Sequence, residues 1–255
     1  RAAQLGKRVA IIEKEAFGGT CLNWGCIPTK ALLASAERYH HAAHSEAYGV
    51  TVKGAAFDYA RMAARKAEIV TRLSGGIQSL LKANGVEAVQ GTARFEGPNR
   101  ISVLLPDGGT RWLSAASIII AAGSDSAMPG FLPKDKRVMD SRAFLDLTAL
   151  PKRLLILGGG VIGCEFACMA AALGAQVTVV EMLEDIVMVL DRDVRRVLRK
   201  RLEALGVTLL TGAPLTDITV TGGQVSGVYK DQTVTGDVLL VAVGRRPNTA
   251  ALDLA

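Results

Sequence analysis

Aromatic residues are scarce: two Trp, four Tyr and six Phe make 5% of a 255-residue chain, while glycine alone numbers 27. That mix suits tight helix-on-sheet packing better than an antiparallel sandwich, whose strands favour large rings. No run of 18 apolar residues occurs, so no membrane-spanning helix is predicted. Cysteine is limited to four in a chain of this length, which excludes a disulfide-stapled secreted domain. What is present is a 49% apolar composition, enough for a sizeable core and for about two domains.

The net charge of +6 is modest and scattered. The densest basic stretch, DRDVRRVLRKRLEAL, places Val194, Val197, Leu198, Leu202 and Leu205 at helical spacing. Its arginines therefore read as the solvated face of an amphipathic helix. No aromatic or Gly-rich nucleic-acid-reading motif accompanies them, so no nucleic-acid partner is expected. The opening residues, RAAQLGK, resemble the end of a helix, as though the chain starts in mid-fold.

A repeat supports that reading. LGKRVAIIEK (5–14) and LGAQVTVVEM (173–182) share a Leu-Gly helix end, a short apolar strand and a closing carboxylate, Glu13 or Glu181. The second copy follows LLILGGGVIGCEFACMAAA, an apolar strand, a Gly-x-Gly-x-x-Gly loop at Gly158, Gly160 and Gly163, and a helix. This is the strand–loop–helix–strand order of dinucleotide binding: glycines permit the tight turn and close approach to a pyrophosphate, and the helix N-terminus supplies N–H donors. The two carboxylates are 168 positions apart (181 less 13), which projects the first copy's glycine loop ahead of Arg1. The plainer reading is that Glu13 merely ends an ordinary strand.

A second echo joins the halves. SIIIAAGS (117–124) and VLLVAVGR (238–245) both read as buried apolar strands ending in Ala-x-Gly. Each follows short alternating segments, VEAVQGTARFEGPNRISVLLPDGGTRWL and DITVTGGQVSGVYKDQTVTGD, that fit an inserted β-meander. Two helices are expected between, roughly Ile27 to Ser45 and Phe57 to Asn84. The predicted class is α/β with two Rossmann-like domains, each carrying a meander. The boundary between them is expected near Pro151, just before the second domain's first strand.

Within GGTCLNWGCIPTKALL (18–33), Cys21 and Cys26 stand five apart. A regular helix separates such positions by about 7.5 Å of rise, and a disulfide needs Cα atoms within about 7 Å. They can bridge only where the helix is broken, and Asn23 and Gly25 lie between them. Such a short loop would stabilise by only about 2 kcal/mol, so the pair's value is chemical, in thiol exchange. Two alternatives stand beside this: a metal site joining Cys21 and Cys26 to Cys164 and Cys168, whose spacing is not that of zinc ribbons, and buried small apolar residues, the natural reading of Cys164 and Cys168. The HHAAH run puts His40 and His44 on one helix face, best read as polar surface with no third ligand.

Together these motifs resemble the flavin-dependent pyridine nucleotide–disulfide oxidoreductases, and within them the branch that oxidises dihydrolipoamide. GGTCLNWGCIPTKALL is similar to the redox-disulfide motif, GGGVIGCEFA to the NAD loop, and DVLLVAVGRRPNT to the segment leading out of the NAD domain. The resemblance covers all 255 residues. It implies an α/β fold in which 1–150 is an FAD domain and 151–247 an NAD domain inserted within it, with 248–255 starting the return to the FAD domain. Cys21 would be the interchange thiol that meets substrate, and Cys26 the thiol against the flavin. Lys30 and Glu165 would form the ion pair beside flavin and nicotinamide, both counted with the cysteines as catalytic. Glu13 would bind the FAD ribose, with Gly19, Thr20, Lys30, Ala93, Ala122, Gly123 and Ser124 lining that cofactor. Gly158, Gly160, Val161, Ile162, Gly163 and Glu181 would hold NAD, with Gly244 and Arg245 nearby.

From the residues themselves, Glu181 can accept bonds from a ribose 2′-hydroxyl and would repel a 2′-phosphate. Glu184 and Asp185 follow without an arginine to neutralise phosphate, so NAD is favoured over NADP. The resemblance further implies lipoyl domains of a 2-oxo acid dehydrogenase complex or of the glycine cleavage system as partners. It also implies a homodimer and a cytoplasmic location. The family's upstream phosphate loop, its second FAD motif and its dimerisation domain with a His–Glu base are not in this sequence. None of the three histidines stands in for that base, so this piece is expected not to turn over alone. Alanine in IIIAAGS replaces a commoner threonine, a small change where backbone makes the contact. The rivals are another flavin disulfide reductase or mercuric reductase, a nucleotide-binding fragment with an idle disulfide, and a metal module that elemental analysis would reveal.

Overall fold

The computed structural model describes residues 1–252, so residues 253–255 of the expected return segment lie outside the described residues. The described residues divide into two compact units, one of Arg1–Asn23, Glu68–Asp125 and the residues from Arg246 on, the other of Trp24–Ala67 and Ser126–Arg245.

In the first unit, strands Ala10–Glu13 and Glu87–Gln90 pair in parallel, and Thr92–Gly97, Arg100–Leu104 and Thr110–Ser114 form an antiparallel sheet. Val89, Ile101 and Val103 are its buried centre, packed by Ile12, Phe95, Leu113 and Ile118. Two expectations are corrected here. The segment beginning at Val86 does not open the meander: its strand, Glu87–Gln90, is the partner of the Ala10–Glu13 strand. Residues 117–123 form no strand, and Ile119 is 86% exposed. An apolar run becomes a strand only when a neighbour takes its ladder hydrogen bonds. Among the described residues no segment gives this run the neighbour that Arg153–Leu157 gives Val238–Val241.

The second unit holds a five-stranded parallel sheet in the order Thr208–Thr211, Gln176–Glu181, Arg153–Leu157, Val238–Val241, Val138–Met139. Its central strands are buried on both faces, as parallel strands covered on both sides must be. The helix Val161–Ala172 buries Gly163, Cys164, Phe166, Ala167, Met169 and Ala170. These mostly small side chains let it lie close on the sheet. The helix Cys26–Ala43 packs against it, and Phe144 meets Phe166 edge-to-face at 5.0 Å. The predicted second meander forms Leu215–Thr221, Gln224–Tyr229 and Gln232–Gly236.

The basic helix runs Arg192–Ala204, but its apolar stripe is narrower than five positions predict. Leu198, Leu202 and Leu205 reach the core, whereas Val194 and Val197 are 51% and 66% exposed. Nor are all its arginines simply solvated. Asp185 accepts from Arg199 Nη2 at 2.6 Å and Nε at 3.0 Å, and from Arg195 Nη1 at 3.4 Å. Across the sheet, Asp237 accepts from Arg153 Nη2 at 2.6 Å, Nε at 3.0 Å and the Arg153 backbone N–H at 2.9 Å.

Burial alone would raise both carboxyls, but these donors outweigh it and hold Asp185 and Asp237 below the ordinary value of 3.8. A depressed carboxyl stabilises the fold fully above its unfolded value, and that contribution vanishes as pH falls through the folded value. The thermal midpoint should therefore stay level from neutral pH to about 5 and drop below about 4. Asp237→Asn should lower the midpoint at pH 7 and flatten its acid slope. An unchanged slope in calorimetric scans would refute the assignment.

Candidate functional site

The sequence breaks a helix where its cysteines need it broken. Residues Gly19–Trp24 are helical, residues Cys26–Ala43 are helical, and Gly25 between them sits at φ −137°, ψ −112°. Cys21 and Cys26 are disulfide-bonded, and Cys164 and Cys168 are free. Asn23 Nδ2 donates to the carbonyls of Ala16, Phe17 and Gly19 at 3.3, 3.2 and 3.0 Å, fixing the chain ahead of the break. Behind it, the Gly25 carbonyl accepts from Thr29 Oγ1 at 2.7 Å and from the Thr29 N–H at 3.1 Å. Pro28 fits the first turn, where its missing N–H needs no partner. Cys26 opens an 18-residue helix, whose positive dipole end favours a thiolate there.

One turn on, Lys30 Nζ meets Glu165 Oε1 at 2.5 Å. Glu165 is the only charged residue of the Val161–Ala172 helix, so the packing of two helices delivers it to Lys30. Their side chains are 54% and 26% exposed, and a pair that open contributes only about 0–1 kcal/mol. Its use is to hold charge at a fixed place.

The second glycine loop is a cradle. Gly158 has φ +111°, and a Cβ there would lie 2.5 Å from the Ala242 carbonyl oxygen. A Cβ on Gly163 would lie 2.0 Å from the Gly158 oxygen, while Gly160 borders open space. Val161 opens the following helix half-exposed, with Ile162 packed on the core beside it. Glu181 reaches back to the loop: its Oε2 accepts from the Gly159 N–H at 2.6 Å, and its Oε1 from the Leu183 N–H at 2.8 Å. Gly244, past the end of the Val238–Val241 strand and just ahead of Arg245, has φ +124°.

The first unit repeats one part of this in miniature. Glu13 Oε1 accepts from the Glu15 N–H at 2.7 Å, the same two-residue step that Glu181 makes to Leu183. Gly19 has φ +72°, and Thr20 Oγ1 stands 3.9 Å from where a Cβ on Gly123 would be. The Gly123 carbonyl accepts from the Asn248 N–H at 3.0 Å, beside Ala122 and Ser124. Ala93 pairs with Val103 inside the meander.

Outside these groups, the His40 and His44 rings lie 4.2 Å apart, with His44 Nδ1 at 2.8 Å from the His40 carbonyl. Among the described residues no group of three or more His, Cys, Asp or Glu is arranged for a metal. Burial pushes the Cys164 thiol up to about 12 and raises Cys168 too, so neither is a ready thiolate. Two features escaped the sequence. Arg142 lies over the Trp24 ring, its Cζ 4.1 Å from the centroid. Buried Lys66 donates to the Leu145 carbonyl at 2.5 Å, and burial lowers its pKa against the raising effect of Asp146. Neither contact carries a sequence signal, because each joins positions far apart in the chain.

The family model described as pyridine nucleotide-disulphide oxidoreductase matches residues 1–255. This chain belongs to that family.

Family membership implies FAD and NAD(H), and the two carboxylate-ended strands with the glycine cradle fit such cofactors. Among curated members, the chain is 39% identical over 254 residues to dihydrolipoyl dehydrogenase of Chlamydia pneumoniae, covering 99% of this chain and 54% of that protein. It is 40% identical over 263 residues to leghemoglobin reductase of Vigna unguiculata, covering 100% and 50%. Among solved structures, LpdA of Mycobacterium tuberculosis superposes with a TM-score of 0.91 at 28% identity, covering 99% of this chain and 57% of that one. The HOCl-induced flavoprotein disulfide reductase RclA of Escherichia coli gives 0.85 at 32%, covering 98% and 54%. The chain thus spans about half the length of the curated relatives it matches. Among the described residues, no helix is long and apolar enough to cross a membrane.

Proposed function

We propose that this chain is the FAD-disulfide and NAD portion of a dihydrolipoyl dehydrogenase, with 1–150 as the FAD domain and 151–247 as the NAD domain. One observation carries the reading: an oxidised Cys21–Cys26 pair at the head of a long helix, one turn before a lysine held by a carboxylate. Relatives named dihydrolipoyl dehydrogenase at 37–40% identity support the substrate class.

In this reading, a thiolate of dihydrolipoamide attacks the Cys21 sulfur. The S–S bond breaks, and Cys26 leaves as a thiolate favoured by the helix dipole. The second substrate thiol then displaces Cys21, which closes the lipoyl disulfide and leaves the protein dithiol. Bound FAD would supply a two-electron acceptor for the Cys26 thiolate, and bound NAD a hydride acceptor. Lys30 and Glu165 supply a fixed charge pair beside that side. Glu13 and Glu181 hold ribose hydroxyls, with Gly19, Thr20, Ala93, Ala122, Gly123 and Ser124 along the flavin nucleotide. Gly158, Gly160, Val161, Ile162, Gly163, Gly244 and Arg245 lie along NAD. Glu181 beside the loop disfavours a 2′-phosphate, so NAD is preferred. The whole protein acts as a homodimer on lipoyl domains of a 2-oxo acid dehydrogenase complex or the glycine cleavage system, in the cytoplasm.

The test adds dihydrolipoamide anaerobically to the full-length, FAD-loaded protein. A new long-wavelength thiolate-to-flavin absorption is expected. Silence would remove dihydrolipoamide and favour another disulfide reductase, the reading that similarity to RclA and leghemoglobin reductase keeps open.

A further inference from the structure

We propose that Trp24 and Arg142 are positioning residues for the Cys21–Cys26 dithiol, acting through the break at Gly25. The proposal rests on the reading of that pair as redox-active. An unbroken helix through Gly19–Ala43 would draw the two sulfurs' backbones about 7.5 Å apart along its axis, beyond disulfide reach of about 7 Å. While the S–S bond exists, it helps to hold the break. Once substrate opens it, helix propagation through Gly25 gains a hydrogen bond per residue, and only non-covalent contacts oppose that.

The bonds of Asn23 to the Gly19 carbonyl and of Thr29 to the Gly25 carbonyl span four residues and would survive in a continuous helix, so the hold on the break comes from elsewhere: Asn23 also ties down the carbonyls of Ala16 and Phe17. Trp24, the residue adjoining Gly25, is held by its ring beneath Arg142, whose Cζ is 4.1 Å from the centroid. Arg142 belongs to the short helix Ser141–Leu145, which Asp140 caps by accepting from the Ala143 N–H at 2.9 Å. That helix is seated by buried Phe144 and Leu145 and by Lys66 on its last carbonyl. The guanidinium is therefore presented from a fixed base, and a cation over an indole is the strongest of the ring pairings. The clamp keeps the dithiol close enough to reclose, which makes it the better reductant.

The experiment equilibrates the FAD-loaded protein anaerobically with graded ratios of reduced to oxidised dithiothreitol, quenches with acid, alkylates, and counts labelled thiols by mass. Dithiothreitol gives two electrons and two protons as it closes its own ring. The protein S–S bond breaks and each sulfur takes one of each. Arg142→Ala and Trp24→Ala should each become half-reduced at a roughly three- to tenfold lower ratio, a potential about 15 to 30 mV more positive. Arg142→Lys and Trp24→Phe, which keep a cation over a ring, should return most of the shift. The double alanine variant should move no further than either single one. Unchanged ratios in both single variants, or additive shifts in the double, would overturn the proposal. Failure of the functional reading looks different: the wild type would stay silent to dihydrolipoamide while the dithiothreitol series still separated the variants.

Discussion

Replacing Cys26 with serine should reduce dihydrolipoamide-driven NAD reduction in the full-length holoenzyme by roughly three orders of magnitude or more. A hydroxyl cannot close a disulfide with Cys21, so substrate attack would have no bond to break. No other thiol among the described residues can take its place. Cys164 is buried with its pKa pushed up to about 12, and Cys168 is raised as well. Both lie on the Val161–Ala172 helix, where Cys164 is buried and Cys168 half-buried. The fold should survive, since so short a loop contributes only about 2 kcal/mol through chain entropy. Asn23 and Thr29 still hold the segment. Circular dichroism should therefore match the wild type while the long-wavelength flavin band is lost. Retention of more than a tenth of the activity would mean that the disulfide is idle, and the proposed function would fall. Cys168→Ser, the control, should leave turnover unchanged.

A second pair of substitutions separates folding from cofactor binding within one loop. Gly163→Ala places a methyl 2.0 Å from the Gly158 carbonyl oxygen, a backbone atom that no rotamer can move aside. Overpacking of this kind costs about 1–3 kcal/mol or more, and near 250 residues each kcal/mol lowers the midpoint by about 2–4 °C. Gly160→Ala differs. Its φ is −72°, ordinary for alanine, and no atom lies within 4 Å of the new methyl. Stability should hold there, yet the methyl enters the open space that a pyrophosphate would occupy at the helix N-terminus. NAD affinity should fall tenfold or more in Gly160→Ala at an unchanged melting temperature, whereas Gly163→Ala should lose both. Undiminished NAD binding by Gly160→Ala in calorimetric titration would show that the cofactor does not approach this loop.

Local pattern carried much of this architecture in plain view. The strand Arg153–Leu157, the helix Val161–Ala172 and the strand ending at Glu181 follow from an apolar run, three glycines and a carboxylate. The two predicted helices, 27–45 and 57–84, appear as Cys26–Ala43 and Tyr59–Ala83. Where the outcome hung on distant partners, periodicity misled. SIIIAAGS and VLLVAVGR look alike, but Val238–Val241 finds a parallel neighbour on either side, and among the described residues no strand pairs with 117–123. Val194 and Val197 share helical spacing with Leu202 yet stay exposed, while Arg195 and Arg199, held by Asp185, are the more covered side chains at 15% and 26% exposure. In the site, the cysteines and glycines declared themselves through spacing. The clamp on Trp24 did not, since Arg142 lies more than a hundred positions away and nothing local marks it.

Glu181 has a consequence for coenzyme engineering. The carboxylate we propose to recognise a ribose already fastens two backbone N–H groups, those of Gly159 in the glycine loop and Leu183 beyond the strand. It is a latch as well as a reader. Exchanging it for a neutral or basic side chain to admit a phosphorylated dinucleotide would strip both donors of their acceptor at once and loosen the loop proposed to receive the pyrophosphate. Selectivity and preorganisation are thus tied to one side chain. A redesign for the other coenzyme must first supply new acceptors for those two N–H groups before it adds a positive charge.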